Sequence, residues 1–592
     1  LRRIPHPTSL IETAMPASNA ELAAALARTA DLLELTAANP FRVRAYRSAA
    51  RRIESLGESI AEAVAAEKDL ATLPDIGKDL AGALVELVNT GRFTLIDELE
   101  AAIPPGLPAL LEVEGLGPKR TRRLWQELGI VDAQTLRDAA TAGRIRALDG
   151  FGAKSEANLL RGLDELSRRS GRMLLADAMP LAEQLRRDLA AVPGVRCVEI
   201  AGSLRRGKET VGDLDFLVTA DDPAAVLDAF CAHPSADRTI GRGDSKASVL
   251  LTRGIQADLR AVPASSLGAA LHYFTGSKEH NVAMRRRAQA RGWRLNEYAL
   301  AVESDGRVVA GDTEDSIFSS LGLSFIPPEL REDRGELALA ERDALPQLIS
   351  AADIRGNLHA HSDWSDGTRT IREMADEARR RGYAYLAITD HSFGLAVAGG
   401  LDADRLIRQI DEIAALNEEL DDLVLLAGIE CDITTDGELE LPNDVLRRLD
   451  VVIGAIHRNF RLPREQQTRR MLRALENPWL TFLAHPTGRL LTRREGYDID
   501  LDAVLRAAAE RGVMIEINAN PWRLDLDDVH ARRAHELGIR IPVNTDAHSF
   551  ADFDNIRWGV MQARRAGLTA ADVPNTQPLA ELRRQLAATR IA

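Results

Sequence analysis

From residue 354 onward, short apolar runs alternate with amphipathic stretches in a strict order. The apolar runs end at Leu358, Ile388, Ile429, Ile456, Ala484, Ile517 and Val543, with helical segments between them. Strands that are each followed by a helix pair in parallel, so this order predicts a parallel β/α sheet closed as a barrel. Polar residues gather just past the runs. In such folds the carboxyl ends of the strands are where chemistry is done.

Those polar residues are of one kind. Of eight histidines in this half, six lie just beyond a predicted strand: His359, His361, His391, His457, His485 and His548. Asp366 follows His361 in the same loop, Glu430 ends the 423–429 run, and Asp546 sits two residues before His548. The H-x-H and D-x-H pairs place both side chains on one side of extended chain, which suits chelation. Nine such ligands exceed the needs of one ion. A bridging carboxylate such as Glu430 allows two or three ions, an arrangement that activates water and clamps a phosphate. His530 and His535 fall on a helix at a spacing that does not converge, and are read as surface residues.

A second constellation lies upstream. Short β-type runs at 195–201, 213–219 and 256–262 carry Gly202-Ser203 and Arg205-Arg206 after the first, Gly212-Asp213-Leu214-Asp215 opening the second, and Asp258 within the third. Alternation puts Asp213 and Asp215 on one face. Three convergent carboxylates suit two magnesium ions held roughly 4 Å apart around a phosphoryl group. Ser203 and Arg206 are placed to grip a triphosphate tail. This is the pattern of a nucleotidyltransferase core.

Residues 19–175 read as helices only, cut by three glycine turns: 73–77, 113–119 and 148–154. Each opens a helix, so Gly77, Gly115, Gly117, Gly150 and Gly152 would aim backbone N–H groups at a phosphate without reading sequence. A net charge of −14 argues against nucleic acid, but that figure averages over domains. Lys278, Arg285, Arg286, Arg287, Arg291 and Arg294 crowd into a stretch almost free of acids, and the local field is what a phosphate meets. No apolar run is long enough for a membrane span. Three cysteines (Cys197, Cys231, Cys431) show no metal or redox spacing, which predicts a reducing cytoplasm. Residues 1–18 read as a disordered extension, with Met15 as the expected start.

The middle of the chain resembles family X DNA polymerases, of which DNA polymerase beta is a member. The likeness rests on Gly202-Ser203-Leu204-Arg205-Arg206, Gly212-Asp213-Leu214-Asp215 and Tyr273-Phe274-Thr275-Gly276-Ser277, continuing through Asn281, Arg285 and Asn296-Glu297-Tyr298. It implies gap-filling synthesis from deoxynucleoside triphosphates. Gly202, Ser203, Arg206, Gly212, Tyr273, Phe274, Gly276 and Asn281 would bind the nucleotide, and Arg285 and Glu297 the DNA. Lys278 departs from the beta enzyme, which has an acidic residue there. The glycine turns resemble helix-hairpin-helix motifs, although Asp75 replaces a preferred glycine in the first. Residues 41–47 resemble the segment that holds the 5′-phosphate of a gap, with Arg42 and Arg47 supplying charge. The lysine that forms a Schiff base in the lyase reaction falls at Ala83, which predicts no lyase activity of that type.

The carboxyl-terminal pattern resembles the polymerase and histidinol phosphatase (PHP) domain. It runs His359-Ala360-His361, Asp366-Gly367, Thr389-Asp390-His391, Gly428-Ile429-Glu430, Ile456-His457, Ala484-His485-Pro486 and Asp546-Ala547-His548. This implies a distorted seven-stranded β/α barrel with two to three manganese or zinc ions. Together the resemblances imply a bacterial family X polymerase with a PHP tail that trims 3′ ends, a monomer acting on gapped or nicked DNA in base excision repair. The expected divisions are 19–100 (helical, gap-binding), 101–175 (helical fingers), 176–262 (α+β palm), 263–328 (thumb), 329–353 (linker) and 354–592 (PHP). Two rivals remain: a nucleotidyltransferase whose tail is a small-molecule phosphatase, and a non-catalytic DNA-binding scaffold. Comparing 3′-labelled DNA with histidinol phosphate as substrates separates the first, and turnover of either excludes the second.

Overall fold

The computed structural model describes residues 19–590 apart from 55–59, 67, 74–75, 91–92, 105, 114, 149, 170–171 and 396–397. The expected extension at 1–18 lies outside them, as do Asp75, Glu114 and Asp149 of the glycine turns. The chain divides into two compact units, 1–170 and 171–592.

Among the described residues the first unit is helical, as its patterning predicts. Asn39 caps the Pro40–Glu54 helix by accepting the Phe41 N–H at 2.9 Å, and Pro40 takes the first helical position, where its missing N–H costs nothing. The helix Asn19–Leu35 serves two cores. Leu22, Leu26 and Leu33 pack with Tyr46, Ile53, Ala83 and Leu84, while Leu32 and Leu35 join Leu110, Leu124, Ile145 and Leu159. The glycine turns open the helices Lys78–Thr90, Pro118–Leu128 and Ala153–Arg169.

The second unit begins with the palm. Its five-stranded sheet has the order Val195–Ile200, Asp213–Ala220, Gln256–Ala261, Lys246–Leu251, Ala236–Arg242. Helices Leu175–Ala190 and Pro223–Cys231 supply apolar faces to its core. The last two strands have no counterpart in the sequence reading. Lys246–Leu251 alternates buried and half-buried residues, and Ala236–Arg242 is a polar edge strand with little burial to betray it. The thumb follows, with helices Leu267–Thr275, Lys278–Gln289 and Glu314–Ser320 beside a three-stranded antiparallel sheet formed by Trp293–Leu295, Leu300–Val302 and Val308–Ala310. Residues 329–353 pack against the rest of this unit: Arg331 is fully buried, and Arg564 and Arg565 bond Glu329 and Glu332.

Six parallel strands in sequence order form the curled sheet beyond: Gly356–Asn357, Tyr385–Ile388, Val424–Asp432, Val451–Ala455, Phe482–Leu483 and Met514–Ile515. Both faces are buried, as parallel strands require. Leu386, Ile388, Leu425 and Ala427 pack toward the flanking helices, whereas Tyr385, Ala387, Leu426, Val451 and Ile453 meet Leu582 and Leu586 of the Leu579–Ala588 helix. Glu516 interrupts the run, and Ile517–Asn518 pairs instead with Val543–Asn544. Closure is completed by a parallel bridge between Ala360 and Ala547 and by asparagine side chains: Asn544 Oδ1 accepts the Leu358 N–H at 3.0 Å, and Asn357 Oδ1 the Thr545 N–H at 3.0 Å. The seven strand positions therefore close into a distorted β/α barrel.

Candidate active sites

The palm strands Asp213–Ala220 and Gln256–Ala261 run parallel, with Asp215 opposite Asp258 and Asp213 opposite Gln256. Leu214, Phe216 and Val218 point the other way into the core, which leaves the aspartates on the opposite face. Gly202 makes this possible. Its φ is +66°, and a Cβ there would lie 2.3 Å from Asp215 Oδ2, so only glycine fits. Burial, together with the charges of Asp213 and Asp258, pushes the Asp215 carboxyl up to about 7. A divalent cation would relieve that crowding of charge. Burial works against ionisation of Asp258 as well, but Lys246 Nζ at 2.7 Å and Gln256 Nε2 at 3.0 Å outweigh it and hold its pKa low.

The neighbouring motif residues are engaged. Arg205 forms a fork on Glu314 of the thumb at 3.0 and 2.7 Å. Arg206 Nε donates to Glu332 at 3.1 Å, and its guanidinium also bonds the Thr275 carbonyl beside Gly276. Asn281 Nδ2 donates to the Tyr273 carbonyl at 2.7 Å, Tyr273 and Phe274 meet edge to face at 5.1 Å, and Arg260 lies over Phe274 at 4.7 Å. Ser203 and Glu297 are half-buried, and Gly212 and Arg285 are exposed.

In the barrel, alternation along the strands carries Glu430, His391 and His457 to the face of Leu426, Tyr385 and Val451, at the carboxyl end of the sheet. Glu430 is the hub. His485 Nε2 lies 2.9 Å and His457 Nε2 3.3 Å from its Oε1, while His391 Nδ1 lies 3.0 Å and His359 Nε2 3.4 Å from its Oε2. Asp546 Oδ1 lies 3.1 Å from His361 Nε2 and 3.4 Å from His359 Nε2. Asp366 stands 3.4 Å from both His391 and His548. Among the described residues, three groups bring ligand atoms within 4.8 Å of one another: His361, Asp366, His391 and His548; His359, His361 and Asp546; and His391, Glu430 and His457. The palm aspartates are not among them. His485 joins the cluster through Glu430, which its ring meets, and through Glu516, whose Oε2 accepts its backbone N–H at 3.1 Å.

The donor set fits metal ions. His359 Nε2, His361 Nδ1, Glu430 Oε2, His457 Nδ1 and His485 Nδ1 are buried without a hydrogen-bond partner, a costly state that cations relieve for the atoms facing the cluster. Burial and the neighbouring His548 and His391 drive His361 down to about 3, whereas His548, opposed by burial but facing Asp366, rises to about 10.

Several contributors were missed in the sequence. Glu516 Oε1 lies 2.9 Å from His359 Nδ1 and fixes that ring, and a lone acid inside the apolar run 513–517 was the available signal. Asp432 accepts the His457 N–H at 3.0 Å. Asp390 is held by Ser362, Ser365 and Gln409. Arg523 Nε stands 3.8 Å from Asp546 Oδ2, and nothing in the pattern marked it.

In the helical unit, a Cβ on Gly77, Gly115, Gly117 or Gly152 would meet nothing within 4 Å, so these turns are open to a ligand; Gly150 has only Arg123 nearby, at 3.8 Å. Gly115 has φ +88° and Gly150 φ +75°, a left-handed backbone that glycine adopts freely. Arg120 ties the two turns together, donating to the Gly115 and Gly150 carbonyls at 3.1 Å each. Arg42 is exposed, while Arg47 reaches inward to Asp31 at 3.0 Å and Glu34 at 2.5 Å. Ala83 is buried in the first core.

Family descriptions match the chain in four places: a helix-hairpin-helix domain over 17–93, a SAM-like helix-hairpin-helix tandem over 107–165, the DNA polymerase beta thumb over 270–332 and a PHP domain over 357–520. A protein of Bacillus subtilis (strain 168) named DNA polymerase/3′-5′ exonuclease PolX is 38% identical over 552 residues, covering 93% of this chain and 96% of its own. The chain belongs to the bacterial family X DNA polymerases that carry a PHP domain. Rat (Rattus norvegicus) DNA polymerase lambda is 26% identical to this family X chain over 48% of it and 52% of the rat protein. A probable phosphatase of Thermoanaerobacter sp. (strain X514) is 30% identical over 35% of the chain and 84% of the relative. No helix among the described residues is long and apolar enough to cross a membrane.

Proposed function

We propose that this polymerase fills short gaps in DNA during base excision repair and that its PHP domain removes nucleotides from 3′ ends. The observation that carries the reading is the presence, in one compact unit, of two acidic constellations with different donors: oxygen-only at Asp213, Asp215 and Asp258, mixed nitrogen and oxygen around Glu430. Hard oxygen donors suit magnesium at the first, and the mixed set suits manganese or zinc at the second. Bound there, the ions would neutralise phosphate charge and lower the pKa of the attacking hydroxyl or water.

In the palm, Asp258, on the primer side, would help deprotonate the primer 3′-hydroxyl, whose oxygen attacks the α-phosphate as pyrophosphate leaves. Asp213, Asp215 and Asp258 would hold the two magnesium ions. Tyr273 and Phe274 crowd the sugar, Asn281 faces the base edge, and Ser203, Arg206 and the backbone at Gly202, Gly212 and Gly276 receive the triphosphate. The open glycine turns, with Arg42, Arg47, Arg285 and Glu297, hold the duplex. In the PHP domain, His359, His361, Asp366, His391, Glu430, His457, His485, Asp546 and His548 would hold two to three ions, and Arg523 would meet the scissile phosphate.

The protein acts as a cytoplasmic monomer on gapped or nicked DNA and deoxynucleoside triphosphates. Primer extension and degradation on a one-nucleotide gap test the assignment. Asp215→Ala is expected to abolish nucleotide addition and leave manganese-dependent 3′ hydrolysis intact. Loss of both activities in a folded variant defeats the two-site assignment.

A further inference from the structure

Arg523, 3.8 Å from Asp546, lies in a loop that needs to be held. The next residue, Leu524, has φ +39°, a strained conformation for a branched side chain that persists only when its surroundings enforce it. Six hydrogen bonds enforce it from the 487–491 segment. Asp525 Oδ2 accepts the Thr487 N–H, the Thr487 hydroxyl and the Gly488 N–H at 3.0, 2.9 and 3.1 Å. Leu491 N–H donates to the Trp522 carbonyl at 2.6 Å. Arg489 donates from Nε to the Arg523 carbonyl at 2.9 Å and from Nη2 to the Leu524 carbonyl.

Arg489 is in turn held from outside the PHP domain. Its guanidinium forms a fork on Glu209 of the palm, with Nη1 3.2 Å from Oε1 and Nη2 2.8 Å from Oε2. Glu209 lies three residues past Arg206, and its carbonyl accepts the Leu175 N–H at 3.0 Å, which anchors it to the palm. The Leu524 side chain is itself packed in the palm core, with Leu175, Leu204, Val211 and Leu214. One loop thus carries a leucine sunk in the palm and an arginine aimed at the histidine cluster.

We propose that Glu209 is a positioning residue for the PHP site: through Arg489 it fixes the 522–526 loop so that Arg523 meets the substrate phosphate. The inference rests on the reading of the histidine cluster as the 3′ hydrolase. A planar fork shared between a carboxylate and two carbonyls has a single geometry. With Glu209 neutralised, Arg489 loses its forked partner and keeps Asp527 at 3.8 Å, so the loop loses its polar tie to the palm while Leu524 stays buried there. Arg523 then no longer waits in place, so the phosphate is bound less well while the metal ligands stay where they are.

The test uses the full-length chain and the variants Glu209→Gln, Glu209→Asp and Arg489→Lys. Readouts are KM and kcat for manganese-dependent 3′ hydrolysis, manganese content, calorimetric affinity of the manganese-loaded protein for inorganic phosphate, and gap filling. For Glu209→Gln and Arg489→Lys, KM is expected to rise and phosphate affinity to fall by roughly tenfold, the worth of one charge-assisted hydrogen bond. Metal content and gap filling stay at wild-type levels, and Glu209→Asp, which keeps the charge, recovers most of the affinity. Wild-type KM and phosphate affinity in both Glu209→Gln and Arg489→Lys overturn the proposal. So does a parallel loss of metal and gap filling, which marks a folding defect instead. If the wild-type chain itself leaves 3′ ends intact, it is the hydrolase reading that falls.

Discussion

Glu430 lies close to four imidazoles, yet its Oε2 is buried without a hydrogen-bond partner. Histidines alone do not satisfy it, and a bound cation would. Glu430→Gln keeps the shape and removes the charge. Its 3′ hydrolysis is expected to fall by at least about 100-fold, the upper end of what losing an outer partner costs a metal site. Metal analysis should show fewer ions bound per chain, with gap filling unchanged. Toward the other end of the chain, Ala83, where the family resemblance would put a Schiff-base lysine, is buried, and Lys78 is exposed five residues earlier in the same helix. Borohydride reduction in the presence of an abasic-site substrate is expected to trap no adduct, and a trapped adduct at Lys78 contradicts that. The histidines were legible because chemistry-bearing residues at strand ends break an apolar pattern. Arg523 was not, since an arginine in a loop is ordinary until its distance to Asp546 is known.

At the scale of elements, the helix Glu314–Ser320 shows how the thumb is fixed to the palm. Glu314 is buried between Arg205 and the fully buried Arg331. Burial opposes its charge, but the two arginines outweigh that and pull its carboxyl from 4.5 down to about 2. A depressed carboxylate contributes its stability above the unfolded value and loses it as pH falls toward the folded one. Chemical denaturation from pH 6 to 2.5 should therefore show a steeper acid loss in the wild type than in Glu314→Gln. At neutral pH the variant is expected to be less stable by about 3–5 kcal/mol, because it leaves buried guanidinium unpaired. The sequence announced the first arginine as part of a motif but gave no sign of the glutamate 109 residues on. The same limit explains the two missed palm strands. The pairing of Lys246–Leu251 with Gln256–Ala261 brings Lys246 onto Asp258, but Ala236–Arg242 buries too little to leave a periodic trace. Barrel strands were readable because burial on both faces makes each a nearly unbroken apolar run.

For the molecule as a whole, the two sites carry opposite reactions at the same kind of DNA end. Extension adds a nucleotide and releases pyrophosphate; hydrolysis returns the nucleotide as a monophosphate. Their sum consumes triphosphate and water while the primer keeps its length. The fork from Glu209 to Arg489 and the palm-buried Leu524 join the two domains within one compact unit, so both sites are presented together. With manganese and only the next correct nucleotide, the wild type is expected to turn triphosphate into monophosphate continuously on a one-nucleotide gap. Chromatography of the labelled nucleotide and gel analysis of the primer follow the two products side by side. Asp215→Ala should stop triphosphate consumption and shorten the primer, and Glu430→Gln should extend it once and stop. Because a released end is free to reach either site in solution, mixing the two variants should restore the cycle at a rate set by DNA release. A mixture that cycles as fast as the wild type shows that the linkage between the domains adds nothing to the transfer.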